Sequence, residues 1–227
     1  MPELYPSYLF NDANLVSYYR FEGNSNDSKG SNNGTPTGIT YNASYGKFGQ
    51  GARFVNASSS HIAFGDPASL RFGTGGFTMN TWLSLDAIGS LTAMLHKDPD
   101  GTGFYCFCQT SGIIATNNLL TVGGPNFLTA LVAGTMTMVT ISRDGSGNIR
   151  LYLNGKIDNT ASGTNKDISK VGTGMDYGIQ NGWYPTCNLD ELSLFSKGLS
   201  DGEVRDLFNL TRGRYLGNQS VHRSNSY

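Results

Sequence analysis

The side chains of this chain that could do chemistry fall in three places. An adjacent acid pair, Asp190-Glu191, interrupts the apolar run 189–195. If that run is a strand, alternation sets Asp190 with Leu192 and Leu194 on one face and Glu191 with Leu189, Ser193 and Phe195 on the other. The two carboxylates then point apart and cannot share one reaction centre. A carboxylate at the edge of an apolar face needs a cation or several donors: a metal ion, loop amides, or the guanidinium of Arg20 or Arg53. The second place is a hairpin bearing His96, Lys97, Asp98, Tyr105 and Gln109, and the third is Gln180, Asn181, Trp183 and Tyr184, just ahead of the acid pair. Both combine aromatic rings with amide groups, and the hairpin adds an acid, the composition that stacks on a sugar ring and bonds its hydroxyls. Trp183-Tyr184-Pro185 lies in a glycine-flanked loop, where a core has less need of aromatics, and is the stronger ligand-binding candidate; Tyr105 serves sheet packing equally well.

Nothing else assembles a reactive centre. His61, His96 and His222 have no neighbouring Ser or Cys in a nucleophile setting, and there is neither a glycine-rich phosphate loop nor a His-Glu-X-X-His pattern. The three cysteines are odd in number, and Cys106 and Cys108 alternate onto one strand face, a poor geometry for bonding each other. That leaves buried free thiols, or a bridge from one of them to Cys187. The expectation is a protein that binds and does not catalyse.

Short strands must position these groups. The 227 residues include 30 glycines, 12 tyrosines and 12 phenylalanines with only 15% charged residues, a composition of aromatic strands joined by tight turns. The expected class is all-β in one domain. Residues 15–22 alternate as a strand and run into 23–38, a stretch of Asn, Ser, Asp and Gly that is either a solvated loop or a hard-cation site; its acidic spacing is not that of an EF-hand. Further strands are expected near 39–41, 52–55, 61–64, 77–85, 93–96, 103–108, 113–122, 127–132, 136–143, 149–153 and 176–180, with Trp82 a packing residue in the long central one. Asn154-Gly155 signals a type I′ hairpin. After the acid pair, Ser200 and Glu203 form a capping box and Leu199 staples onto Val204, starting a short helix whose apolar face is Val204, Leu207 and Phe208.

The termini and the charge bound the partners. Residues 1–13 read as a lead-in, 14–210 as the folded unit and 211–227 as a polar extension. The N-terminal stretch lacks a basic region and a long apolar run, so neither a signal peptide nor membrane insertion is expected from it. A net charge of −1 with scattered Lys and Arg gives no footing for nucleic acid.

Three stretches together resemble the laminin-G-like domain of the concanavalin A-like lectin/glucanase superfamily. They are LVSYYRFEGNSNDSKGSNNGT, FTMNTWLS, and MVTISRDGSGNIRLYLNGK taken with NLDELSLFSKGLSDGEVRDLF. The most specific part is Asp190-Glu191, an apolar pair, then Leu-Ser-X-X-Glu before a short helix. The resemblance implies a two-sheet antiparallel jelly-roll β-sandwich with one short helix near the C-terminus. It implies a structural calcium where the first loop meets the last strand, with Asp190, Glu22, Asn24 and Asp27 as ligands. Glycanases of this fold carry a Glu-X-Asp-X-X-Glu strand, which is absent here. The implied role is non-catalytic recognition of a polysaccharide or glycoconjugate, at an extracellular or particle surface. The alternative is a structural or adhesion component of a virion, phage tail or extracellular assembly that associates through its termini.

Overall fold

A computed structural model describes residues 10–97, 103–179 and 182–212. The alternating segments form strands joined at glycine, asparagine and aspartate turns. First come β1 (Leu15–Tyr19), β2 (Thr35–Thr37), β3 (Thr40–Asn42), β4 (Gly51–Phe54) and β5 (His61–Gly65). The long β6 (Phe77–Leu85) precedes β7 (Thr92–Lys97), β8 (Phe104–Cys108) and β9 (Ile114–Asn117). A meander of β10 (Thr137–Arg143), β11 (Asn148–Leu153) and β12 (Lys156–Ser162) leads to β13 (Met175–Tyr177), β14 (Cys187–Phe195) and helix α1 (Asp201–Arg212).

The strands make two antiparallel sheets, as expected for a jelly roll. One has eight strands in the order β12-β11-β10-β6-β14-β4-β3, with β1 paired to β14; the other has six in the order β2-β5-β13-β7-β8-β9. β14 is the shared spine of the larger sheet: its start pairs with β4, its end pairs with β1, and β6 runs along its other side. Between the sheets lies the main core, which takes Phe54, Ile62, Phe77, Met79, Leu83, Phe104, Ile141, Leu151, Tyr177, Leu189, Leu192 and Leu194. Cys106, Cys108 and Cys187 are buried free thiols. Burial pushes the thiols of Cys106 and Cys108 up, to about 12 and about 11, so they pack as small apolar groups.

The larger sheet carries a third layer on its outer face. There Leu15, Tyr18, Trp82, Met138, Tyr152 and Phe195 meet Leu199, Val204 and Leu207 of the helical unit and Phe48 of the loop before β4. Trp82 stacks on Phe208 at 5.9 Å, meets Phe48 edge-on at 6.2 Å and lies 4.6 Å beneath Lys47 Nζ. It is a packing residue, as its strand position implied. The helix begins at the anticipated capping box, with Ser200 N–H donating to Glu203 Oε2 at 2.8 Å and Glu203 N–H to Ser200 Oγ at 3.3 Å. Asn154 and Gly155 take the positive φ values of 51° and 75° that a type I′ turn requires.

Three local expectations are corrected. No strand forms at 127–132; Phe127 instead plugs the core from a bend, tied by its N–H to Ile114 O. Within the polar loop, Thr35–Thr37 is an edge strand on β5, where Pro36 is tolerated because an edge strand has one free side. The third concerns the acid pair. Asp190 faces Trp82, but the next registered pair is Ser193 with Asn80, so two residues of β14 oppose one of β6. This bulge, with Glu191 at φ 53°, resets the alternation. Leu189, Leu192 and Leu194 all turn inward, while Asp190, Ser193 and Phe195 lie on the outer face. The aspartate sits beneath the third layer, not at the edge of the main core.

Candidate functional site

The outer face of the six-stranded sheet has no such third layer among the described residues. Cross-strand register places one row of side chains over it: Asn117 beside Tyr105, Tyr105 beside His96, His96 beside Asp176, Asp176 beside Ala63, and Ala63 beside Thr35. At about 4.8 Å per strand the row spans roughly 24 Å. A second row runs Ala115, Phe107, Ala93. Two bulges make this face. In β7 the register slips between Ala93 and His96, which lets Met94 and Leu95 both enter the core while His96 stays outward. The second lies in β5, where Phe64 is the extra residue between Gly65, opposite Met175, and Ala63, opposite Asp176, while plain alternation in β13 sets Met175 and Tyr177 inward and the aspartate outward.

The aromatic groups form a continuous ribbon. Tyr105 and Phe107, two residues apart on β8, stack with centroids 5.9 Å apart, and Trp183 leans onto Phe107 at 5.9 Å from the loop that enters β14. The next residue, Tyr184, lies 6.5 Å from the ring of His61. Tyr105, Phe107, Trp183 and Tyr184 are each half-buried, and none belongs to either core. Alanines 63, 93 and 115 between and beside them keep the surface low. The Asp176 carboxylate sits in this floor. Burial raises its pKa, the charges of His61 and Lys97 oppose that rise, and no described residue donates a hydrogen bond to it. A half-buried acceptor with no donor among the described residues, beside half-buried rings, is a group that a bound molecule can satisfy.

The structure therefore joins two places that the sequence held apart. His96 and Tyr105 from the hairpin and Trp183 and Tyr184 from the later loop border one surface. Asp98, Gln180 and Asn181 lie outside the described residues. Lys97, fully buried, turns away to an ion pair with Asp66 at 2.5 Å. Sequence reasoning missed Phe107, Asp176 and His61. The signal for Phe107 was present, since it alternates with Tyr105 in Phe104–Cys108. Asp176 offered only an acid between the buried Met175 and Tyr177.

The four residues that the resemblance implied as calcium ligands each make local hydrogen bonds, and Oε1 of Glu22 is the one carboxylate oxygen among them buried without a hydrogen-bond partner. Asp27 is the hub of the first loop: Oδ1 accepts the N–H of Tyr18 at 2.9 Å and of Lys29 and Gly30 at 3.0 Å, and Oδ2 that of Asn32 at 3.1 Å. Asp190 Oδ2 accepts Lys47 N–H at 2.7 Å and Phe48 N–H at 2.9 Å, and Oδ1 accepts Glu191 N–H at 2.9 Å. Glu22 Oε2 accepts Gln50 N–H at 3.2 Å, and Asn24 caps its own turn through Asn26 N–H at 2.9 Å. Calcium takes about six to eight oxygens, yet among the described residues no group of three or more His, Cys, Asp or Glu side chains converges to hold an ion. At Asp27 and Asp190 backbone N–H groups already engage both carboxylate oxygens, so these two acids are held in place without a cation. Loop amides, one of the partners weighed for Asp190, hold it instead. Burial and the neighbouring Glu191 carboxyl nevertheless push its pKa well up.

Comparisons with known proteins agree with this architecture. Among curated proteins no sequence match is found. Among solved structures, the chain is similar to the binding domain of Paraclostridial Mosquitocidal Protein 1, with 18% identity, 86% of this chain and 52% of that one covered, and a TM-score of 0.70. It is similar to domain 4 of AbnA, a GH43 extracellular arabinanase from Geobacillus stearothermophilus solved with arabinotriose, at 21% identity over 87% of this chain and 99% of that one, TM-score 0.68. It also resembles the binding domain of botulinum neurotoxin serotype G, at 14% identity over 88% and 52% of the two chains, TM-score 0.70. The chain spans about half the length of the toxin binding domains it matches. At these identities the likeness shows the fold, one shared with two binding domains and with an arabinanase domain solved with arabinotriose. A family model matches directly over residues 56–205, and by that match the chain belongs to the concanavalin A-like lectin/glucanases superfamily.

Proposed function

We propose that this chain is a non-catalytic carbohydrate-binding domain whose ligand lies across the outer face of the six-stranded sheet. The observation that carries the reading is the uncovered ribbon Tyr105–Phe107–Trp183 beside the Asp176 carboxylate. The apolar face of a sugar ring stacks on the aromatics, and its hydroxyls donate to Asp176, which takes no hydrogen bond from the described residues, with His61 and His96 at either side. Glycoside hydrolysis uses two carboxyl groups flanking the bond, and the described residues of this face supply one. The arabinanase domain solved with arabinotriose supports a saccharide ligand for a sandwich of this shape. The second expectation, a building block joined through its termini, rests mainly on residues outside those described and gains no support from the sandwich itself.

A glycan array tests this. The intact chain is expected to retain neutral oligosaccharides, and Trp183→Ala to lose them with its melting temperature nearly unchanged. A Trp183→Ala protein that binds at full strength removes the ribbon from the site, and silence across the array overturns the carbohydrate reading.

A further inference from the structure

A second concavity opens beside this face. It is a cleft of about 300 Å³ lined by Asn56, Asp86, Ser90, Thr92, Tyr184 and Thr186. Its walls come from the ends of β4 and β6 and the starts of β7 and β14, and its volume is at the lower end of ligand clefts, about 300–1,000 Å³.

The lining is held in place. Arg53 grips Asp86 through two contacts of 2.5 Å. Asn56 donates its side-chain amide to Tyr184 O at 2.8 Å and its backbone N–H to Thr186 Oγ1 at 3.1 Å, which leaves Oδ1 of Asn56 as an acceptor. The hydroxyls of Ser90, Thr92 and Thr186 can each donate and accept. Because Arg53 answers the charge of Asp86, the cleft is polar yet close to neutral. No cation lines it to draw an anion, and its apolar surface is confined to Ala87 and the Tyr184 ring among polar groups. One aromatic wall among hydroxyl and amide groups matches a neutral, polyhydroxylated ring.

The cleft and the aromatic face share their supports. Trp183 leans on Phe107 over the face, and the next residue, Tyr184, forms a wall of the cleft. β7 likewise places Thr92 in the cleft and His96 on the face, about 13 Å apart at the rise of a strand. A single sugar cannot span both places, whereas a chain of several can.

We propose that the cleft and the aromatic face are successive subsites of one track, so that the domain takes a stretch of a neutral oligosaccharide chain and not a single terminal sugar. This rests on the carbohydrate-binding reading above and adds chain length and neutrality to it. Calorimetric titration tests it, with disaccharides and hexasaccharides of arabinan, xylan, cellulose and mannan, and sialyllactose as the anionic comparison. The hexasaccharide of the preferred sugar is expected to bind at least tenfold tighter than its disaccharide. In the cleft variant Ser90→Ala/Thr92→Val that advantage disappears and the two lengths bind alike. Equal affinity for both lengths in the unaltered chain, or a cleft variant that keeps the length advantage, overturns the track while carbohydrate binding stands. Tighter binding of sialyllactose overturns the neutral class. Failure of every saccharide to bind a folded chain overturns the carbohydrate reading and the track with it.

Discussion

The two outer faces of the sandwich carry similar side chains and treat them differently. On the larger sheet Trp82, Met138, Tyr152 and Phe195 are at most 2% exposed, closed over by α1 and by Phe48. On the smaller sheet Tyr105 and Phe107 remain half-buried, and Trp183 covers Phe107 only in part. The acids differ in the same way. Asp190, on the covered face, accepts three backbone N–H groups, while Asp176, on the bare face, accepts none from the described residues. A sheet that needed aromatics outside only for stability would cover them, as the larger sheet does, because burial of a large ring contributes roughly 1.5–3 kcal/mol. Rings and an acid left uncovered by the described residues are what the proposed binding face rests on.

Substitutions at matched positions sharpen this contrast. Trp82→Ala removes a fully packed ring under the helix and is expected to cost about 3–5 kcal/mol in chemical denaturation, with saccharide affinity of the folded fraction unchanged. Lost binding at full stability would reverse the roles of the two faces. A smaller loss follows at the acid. Asp190→Ala strips the acceptor from Lys47, Phe48 and Glu191 N–H and frees the loop that holds Phe48 over Trp82. The expected cost is about 1–3 kcal/mol. Because amides hold this carboxylate, chelation with EDTA is expected to leave the melting temperature of the unaltered chain where it was. A fall reversed by added Ca²⁺ would return a cation to the junction of first loop and last strand.

Local signals were legible in the sequence and relational ones were not. The Ser200–Glu203 capping box and the Asn154-Gly155 turn are fixed by residues within four positions of one another, and both appear where their residue types put them. The alternation of β14 failed at Asp190-Glu191 because a two-residue period cannot register an inserted residue, and the left-handed Glu191 turns every side chain beyond it to the opposite face. The site met the same limit at the bulge in β7, between Ala93 and His96. Tyr105 and Trp183 were each recognisable as ligand-type residues, but their nearness depends on the order β13-β7-β8 and on a loop from the other sheet. No spacing along the chain encodes that.

On the bare face the balance between stability and binding inverts. Phe107→Ala removes a half-buried ring that anchors both Tyr105 and Trp183. Saccharide affinity should fall tenfold or more, about 1.4 kcal/mol, with a stability loss of about 1 kcal/mol or less in the same denaturation experiment that registers Trp82→Ala. If Phe107→Ala instead unfolds the chain as severely as Trp82→Ala, the ribbon is a second covering layer and the contrast between the faces collapses.

The smallest effect is set by protonation of Asp176. Burial holds its folded pKa above the ordinary carboxylate value of about 3.9, so folding favours the protonated form. Its contribution to stability therefore improves as pH falls through the folded value and levels off below the unfolded one. Binding moves the other way, because a protonated carboxyl gives up acceptor capacity to a ligand hydroxyl. Affinity should weaken less than tenfold across that acidic window while the melting temperature, corrected with the Asp176→Asn variant for all other titrations, rises slightly. Asp176→Asn itself should bind with a flatter pH profile. If the variant keeps the full acid-side loss, another group carries it, and Asp176 is no more than part of the floor.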